Sequence, residues 1–476
     1  MDRPRLSRLV GVVAAVLAVA FVTAGVATEA SGDQRVADSA TPPGATTAVL
    51  SARRSPDLVG RATAGRRLDA AMAPLLAAAP DDRCVSATQG GQRIVDDHGD
   101  RALIPASNLK LLTGLAALTE LGPDTTFSTV VAARKGPDSS GTVTGDVWFI
   151  GAGDPLIVTD PYRATNKFGP DVPHTSLEAI ADAVVAAGVK HIDGRIVGDE
   201  SRYDTVRTVP SWPDRYLAEA QVGPLSALSV NDARTAPATA DEDGPTAPSR
   251  DPARYAATAL RSLLVARGVT VAGDAATGQS PTSRTTLVSM PSVPVKDVVR
   301  EMLSFSDNNT AELMLKELDV HHGGKGTTAG GVAVVADVLS RRRIPADGLV
   351  MVDGSGLDRS DRVSCRTLVA VLADQGASGD LAAGLSTAND VGTLFDRFVN
   401  SPAKGRVRGK TGTLNDVSSL SGWARTTADL DVSFSMLFNG RRVTAAEERL
   451  EERIAEALLS YPDGPDPAVI GPEHPT

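Results

Sequence analysis

The sequence predicts an α/β chain of the α+β kind, a helix-rich body interrupted by a strand-rich insert. Three observations predict it. Helical apolar periodicity fills residues 107–121 and returns after 290, in the segments 294–303, 307–318, 329–341 and 364–374. From about 127 to 285 the pattern changes to short strand-like runs and turns, such as Phe127–Ala133, Asp146–Ile150 and Arg195–Gly198. Near the C-terminus, Leu430, Val432, Phe434, Met436 and Phe438 alternate with mostly polar neighbours, the pattern of a half-buried strand.

From the N-terminus, Arg3, Arg5 and Arg8 precede an uncharged apolar run, Leu9–Ala27. Residues 1–27 read either as a secretory signal, with Gly25 and Ala27 placed for cleavage after Ala27, or as a retained membrane anchor. Both readings export the rest of the chain, and the anchor would hold it at the outer face of the cytoplasmic membrane. Residues 28–62, rich in Ser, Thr, Ala, Pro and Gly, read as a disordered linker. Leu68–Ala79 reads as a helix, and Cys84–Ala87 and Arg93–Asp96 as short strands. The helix from Ser107 to Leu121 carries Leu109, Leu112, Leu115, Ala116 and Ala117 near one face. Within the insert, single helices are expected near 177–187 and 252–267, and a Pro/Asp/Ala-rich loop over 236–251. A charged helix, 444–459, closes the body, and 461–476, with five prolines, reads as a disordered tail.

Composition narrows the function. The chain of 476 residues has 42% hydrophobic residues, enough for sizeable cores. Its net charge of −10 leaves no global basic footprint for nucleic acid. Two cysteines, Cys84 and Cys365, exclude a disulfide scaffold and any multi-cysteine metal site. Six histidines without an H-E-x-x-H pattern give a zincin no support, so neither metal nor cofactor is expected. After export the two cysteines can pair. Their wide separation in sequence leans toward two separate buried thiols and leaves pairing open.

Three short motifs carry chemistry. Ser107-Asn108-Leu109-Lys110 opens the apolar helix, where positions i and i+3 share a face. Serine is a weak nucleophile without a base, and a buried lysine with a lowered pKa supplies one. The helix N-terminus adds backbone N–H groups where an oxyanion would form. A second S-x-x-K, Ser401–Lys404, contains Pro402 and lacks an apolar helix, which marks it as coincidence. Ser306-Asp307-Asn308 sits at the entry of another helix, where the same residues also serve as an N-cap. Lys410-Thr411-Gly412-Thr413 offers a cation and hydroxyls for a carboxylate, and a glycine past which a substrate backbone can run. Lys404, Arg406, Arg408 and Lys410 fall at every second position. They read as one basic strand face, or as a solvated edge that discourages aggregation.

S-x-x-K, S-D-N and K-T-G, in that order, resemble the penicillin-recognising serine D,D-peptidases and β-lactamases. More closely, the chain resembles class C low-molecular-mass penicillin-binding proteins, the D-alanyl-D-alanine carboxypeptidase/endopeptidase family of the DacB type. The long interval from Ser107 to Ser306 accords with that family's inserted domains, as do Gly151–Pro155, Ser226–Asn231 and Asp353–Leu357. The resemblance implies a penicillin-binding-protein/β-lactamase-like transpeptidase domain, an antiparallel sheet flanked by helices, built from 63–126 and 286–460. Residues 127–285 would form inserted domains, two of them nested. It implies Ser107 as acylated nucleophile, Lys110 as its base, Ser306 as proton relay and Asn308 as positioner of Lys110 and the substrate amide. Lys410, Thr411, Gly412 and Thr413 would bind the terminal carboxylate, with the N–H groups of Ser107 and Thr413 as oxyanion hole. Asp199 resembles an insert position that receives the amino end of the stem peptide. Arg359 follows the D-G-S-G-L piece, where Asp358 replaces the family's usual serine.

The implied activity is an exported serine-type D-Ala-D-Ala carboxypeptidase, with cross-link cleavage as a second capacity. Its partners would be peptidoglycan stem peptides ending in D-Ala-D-Ala, and β-lactams as acylating inhibitors. The alternatives are a β-lactamase or esterase on the same fold, for which no extra glutamate base is evident, and a non-catalytic wall-binding regulator.

Overall fold

The computed structural model describes residues 56–164, 172–235 and 247–463, with side chains from residue 63. The segment 1–27, most of the linker, much of the loop 236–251 and nearly all of the tail lie outside these residues. The first described helix is Pro56–Ala78. It begins twelve residues before the expected start, so the linker predicted to reach residue 62 ends earlier. Pro56 at its first position suits a helix start, where no N–H is needed, and a Pro-rich composition hides that signal.

A six-stranded antiparallel sheet runs in the order Ser386–Thr387, Val407–Leu414, Val417–Arg425, Asp431–Asn439, Asp82–Gln89, Gln92–Asp97. Segments from early and late in the described residues meet in it, since Asp82–Gln89 pairs along its whole length with Asp431–Asn439. On one face lie the helices Lys110–Glu120, Val295–Ser304, Asn308–His321, Thr328–Arg341 and Cys365–Gln375. Their core joins Leu112, Leu115, Met302 and Leu315 to Trp423 and Leu437 of the sheet. Each such buried leucine is worth about 1.5–3 kcal/mol relative to exposure. On the other face, Leu68 and Met72 of the first helix and Ile454 and Leu458 of Ala445–Leu459 pack on Phe434, Met436 and Phe438.

The strand expected to be half-buried is therefore covered on both sides, buried from Val432 to Asn439. The alternation marks one face correctly. The serines of the other face are buried as well, and Ser435 bonds the Ser421 hydroxyl at 2.8 Å.

Cys84 and Cys365 form a disulfide, with Cα atoms 5.9 Å apart, which overturns the leaning toward separate thiols. It ties the strand Asp82–Gln89 to the first residue of the helix Cys365–Gln375. Pairing across that interval depends on the sheet's register, which sequence separation does not report. Such a bond belongs to an oxidising compartment. Among the described residues no helix is long and apolar enough to cross a membrane.

The strand-rich stretch forms inserted sheets. The larger is mixed, in the order Ala276–Thr277, Ile196–Asp199, Val147–Ile150, Ser128–Ala133, Thr285–Pro291. The helices Leu177–Ala186 and Pro252–Ala266 cover it. Ser128 pairs with Pro291, so the chain enters and leaves this sheet side by side. Between its strands, Tyr203, Trp212, Tyr216 and Leu225 fold back onto Leu313 and Leu357, forming a wall beside the cleft described next.

Candidate active site

The predicted helix Ser107–Leu121 begins as a single 3-10 turn, Ala106–Leu109, and becomes α-helical at Lys110. In 3-10 geometry residues i and i+3 eclipse. Lys110 Nζ accordingly lies 2.9 Å from Ser107 Oγ. The turn opens on Ala106 at φ +47°, a left-handed conformation that costs a non-glycine residue about 1–3 kcal/mol. Close packing holds it there. A Cβ on Gly356 would meet Ala106 O at 1.9 Å, and one on Gly412 would meet Pro105 O and Ser107 N at 2.9 Å. Gly412 thus gives its room to the turn that carries Ser107, where the sequence assigned that room to substrate. Beneath the turn, Asn108 Nδ2 donates to Ser419 Oγ at 2.5 Å, and that hydroxyl donates to Pro105 O at 2.8 Å.

Lys110 is fully buried. Its Nζ also contacts Asn308 Oδ1 at 2.6 Å and Ser355 O at 2.8 Å. Asn308 Nδ2 donates to Gln221 O at 2.6 Å, which keeps Oδ1 turned toward the lysine. Burial lowers the Lys110 pKa to about 8, against the raising pull of Asp353, Asp307, Glu312 and Glu301. A neutral amine has two N–H bonds and one lone pair. Asn308 Oδ1 and Ser355 O can only accept, so they take both hydrogens. The lone pair then faces the Ser107 hydroxyl, an arrangement able to remove its proton.

The cap and functional readings of Ser306-Asp307-Asn308 are divided among its residues. Asp307 caps the helix Asn308–His321, accepting from Thr310 N at 2.6 Å. Asn308 faces Lys110, and Ser306, at φ +63°, lines the cleft beside Ser107.

On the strand Val407–Leu414, Lys410 is fully buried and its Nζ donates to Thr411 O at 2.8 Å. Burial, then the charge of Lys110, pushes the Lys410 ammonium well below its ordinary pKa. Thr411 Oγ1 donates to Thr393 Oγ1 at 2.8 Å, and Thr413 is exposed in the cleft. The expected basic row does not form. Lys404 and Arg406 lie in the turn before the strand, and Arg408 donates to the carbonyls of Ala377 and Ala382. Period-two spacing implies a shared face only inside a strand.

The cleft has a volume of about 1130 Å³ and brings together Ser107, Ser306, Asn308, Arg359, Thr411, Gly412 and Thr413. Past Thr393, Thr411 and Thr413 it continues into a groove of about 820 Å³, bordered by the exposed Val391, Phe395 and Val399. Arg359 stands on the rim in a two-pronged pair with Asp416, at 2.7 and 2.9 Å. Asp358 fills the place of the expected serine by accepting from Ser211 Oγ and from Ser360 N.

Asp199 is not among the cleft's lining residues. It ends an inserted strand, buried, and accepts from Ser201 N at 2.9 Å and Ser280 N at 2.7 Å. These bonds outweigh burial and hold its carboxyl below the usual range. Sequence reasoning missed Thr393, Ser419, and the carbonyls of Ser355 and Gln221. The side chains carried no motif, and backbone acceptors carry no residue signature at all.

The model of the D-Ala-D-Ala carboxypeptidase 3 (S13) family matches residues 68–248 and 235–460. A D-alanyl-D-alanine carboxypeptidase of Actinomadura sp. (strain R39) is 28% identical over 462 residues, 82% of each chain. The crystal structure of penicillin binding protein 4 (dacB) from Haemophilus influenzae superposes with a TM-score of 0.67 at 20% identity, covering 82% of this chain and 98% of that one. The same protein complexed with a β-lactam gives a TM-score of 0.61 at the same identity and coverage. The fold is that of penicillin-binding proteins with extra inserted sheets, and the chain belongs to the D-Ala-D-Ala carboxypeptidase 3 (S13) family, as a serine carboxypeptidase.

Proposed function

We propose that the protein is exported and hydrolyses the terminal D-Ala-D-Ala bond of peptidoglycan stem peptides through an acyl-enzyme on Ser107. The observation that carries this reading is the cage around Lys110, whose two acceptors leave its lone pair on Ser107 Oγ. Neutral Lys110 takes the hydroxyl proton as Ser107 attacks the carbonyl. The N–H groups of Ser107 and Thr413 stabilise the oxyanion. Ser306 passes the proton to the departing amine, and Asn308 holds Lys110 and the substrate amide. Water then releases the acid and restores Ser107.

Lys410 and the hydroxyls of Thr411 and Thr413 bind the terminal carboxylate, with Gly412 fixing the strand against the nucleophile's turn. An arriving carboxylate favours the ammonium form of Lys410, offsetting the burial that disfavours it. Arg359, on the rim, steers the anionic end of the substrate. The surroundings of Asp199 support a fold role in the insert more than a contact with the stem peptide. The disulfide supports export, by cleavage after Ala27 or by anchoring through residues 1–27.

β-Lactams would acylate the same serine, as the β-lactam complex of the Haemophilus influenzae protein suggests by analogy of fold. The adduct should be long-lived. Glu301 and Glu312, two of the four carboxyls that act on Lys110, are buried and absent from the cleft lining, while Glu219 and Asp416 of the lining are paired with Arg215 and Arg359. This favours a peptidase over a β-lactamase. The groove beyond Thr413 supports cleavage of cross-links as well, since it leaves room for a leaving group larger than alanine.

Intact-protein mass after incubation with a penicillin tests the site, and D-alanine release from a D-Ala-D-Ala peptide tests the reaction. One adduct mapped to Ser107, absent in Ser107→Ala, is expected. Adduct formation by Ser107→Ala, or rapid nitrocefin turnover, sinks the reading, and an inert D-Ala-D-Ala peptide would favour the regulator.

A further inference from the structure

The turn Asp353–Asp358 has two faces. Its amides point at buried carboxyls. Gly354 N and Ser355 N donate to Glu312 Oε1 at 2.9 and 2.8 Å, and Gly356 N and Asp358 N donate to Asp353, both at 2.7 Å. Its carbonyls point at the helix Lys110–Glu120. Gly354 O accepts from Thr113 Oγ1 and Ser355 O from Lys110 Nζ, both at 2.8 Å. Glu312 stands one helical turn after Asn308, on the same face of Asn308–His321. It is fully buried, and among the described residues its Oε2 has no hydrogen-bond partner. An acid kept dry with one oxygen unused is expensive unless it serves something.

We propose that Glu312 is a positioning residue for the Lys110 amine: by gripping Gly354 N and Ser355 N it holds Ser355 O against Nζ, and so keeps the lone pair on Ser107. One helix then supplies both acceptors of the cage, Asn308 directly and Ser355 O through Glu312. The inference rests on Lys110 acting as the base of Ser107.

The charged groups acting on Lys110 are Asp353 from the turn, Asp307 and Glu301 around the start of the helix, and Glu312 itself, while Lys110 in turn acts on Lys410 of the strand. Burial, then Asp353, raises the Glu312 carboxyl to about 8, while Lys110 pulls it down. Below about pH 8 the Glu312 carboxyl is therefore mostly protonated, so over the range where Lys110 loses its proton it supplies the grip on the two amides and little charge.

The test is the rate of penicillin acylation against pH for wild type, Glu312→Gln and Glu312→Ala, with circular dichroism to establish the folded fraction. Glutamine keeps an oxygen for the two amides and loses the charge. Its plateau and its rising limb should both stay within about threefold of wild type, since below about pH 8 the wild-type carboxyl is itself mostly uncharged. Alanine loses the grip, and acylation per folded molecule should fall about 100-fold, the scale of a misplaced catalytic group. A glutamine variant that loses as much activity as alanine overturns the proposal, as does a folded alanine variant that acylates at the wild-type rate. Lower melting temperatures in both variants, with acylation per folded molecule unchanged, would mean packing alone and also overturn it. If alanine does not fold, Glu312→Met, of similar length and without an oxygen for the two amides, is read in its place. Failure of the underlying reading appears separately, as wild-type protein that forms no Ser107 adduct.

Discussion

Three lysines among the described residues are almost completely shielded from water, and two of them, Lys110 at 0% and Lys316 at 1% exposure, have opposite surroundings. Lys316, in the middle of Asn308–His321, donates to the carboxylate of Asp204 at 2.5 Å and to Gly326 O at 3.2 Å. Lys110 touches a hydroxyl, an amide oxygen and a backbone carbonyl, all uncharged, and its acidic neighbours act only from beyond hydrogen-bond reach. A buried ammonium with an anion in contact is held charged. One given neutral acceptors keeps its shape while losing its proton cheaply. Lys316 and Lys110 are thus distinguished by the charge of what they touch, with burial common to both.

The comparison can be broken in four ways. Lys110→Met should reduce penicillin acylation about 10³-fold, within the range of a lost general base, read by adduct mass against time. Gly412→Ala should reduce it about 100-fold, because the added methyl displaces the turn carrying Ser107 while leaving every charged group in place. The wild-type rate should climb about tenfold per pH unit below about 8 and then level. The neutral amine is the active form, and the lowered pKa of Lys110 brings its deprotonation down into that range. A profile flat from pH 6 to 10 would remove Lys110 from the role. Asp204→Ala should leave that limb in place and instead cost about 3–5 kcal/mol of stability, measured by denaturant midpoint, because it strands the Lys316 charge.

The sequence carried more of the site than of its supports. Three motifs named Ser107, Lys110, Ser306, Asn308 and Lys410, because each needs a particular side chain and side chains are what a sequence spells. The cage was illegible for the complementary reason. Ser355 O and Gln221 O are backbone atoms, and any residue could present them. Gly412 was read for its freedom, yet which neighbour fills its space depends on how the strand Val407–Leu414 meets the turn Ala106–Leu109. In the fold, helix periodicity placed Asn308–His321 and Cys365–Gln375 within a few residues. Strand alternation failed at Lys404 and Arg406, where a turn interrupts the pattern, and at Ser435, where serine bonds serine inside a two-sided core.

The way the sheet joins an early segment of the chain to a late one also sets when the protein becomes reactive. Asp82–Gln89 finds its partner only in Asp431–Asn439, and the groups that face or clamp the nucleophile's turn come from positions 308, 355, 356 and 412. A chain emerging N-terminus first therefore exposes Ser107 and Lys110 long before anything is there to bury the amine and take its hydrogens. Such distant pairings form late, since loop closure must precede the contacts that reward it. The hydrolase is inert by construction while it is incomplete, and its activity is a report that nearly the whole chain has arrived.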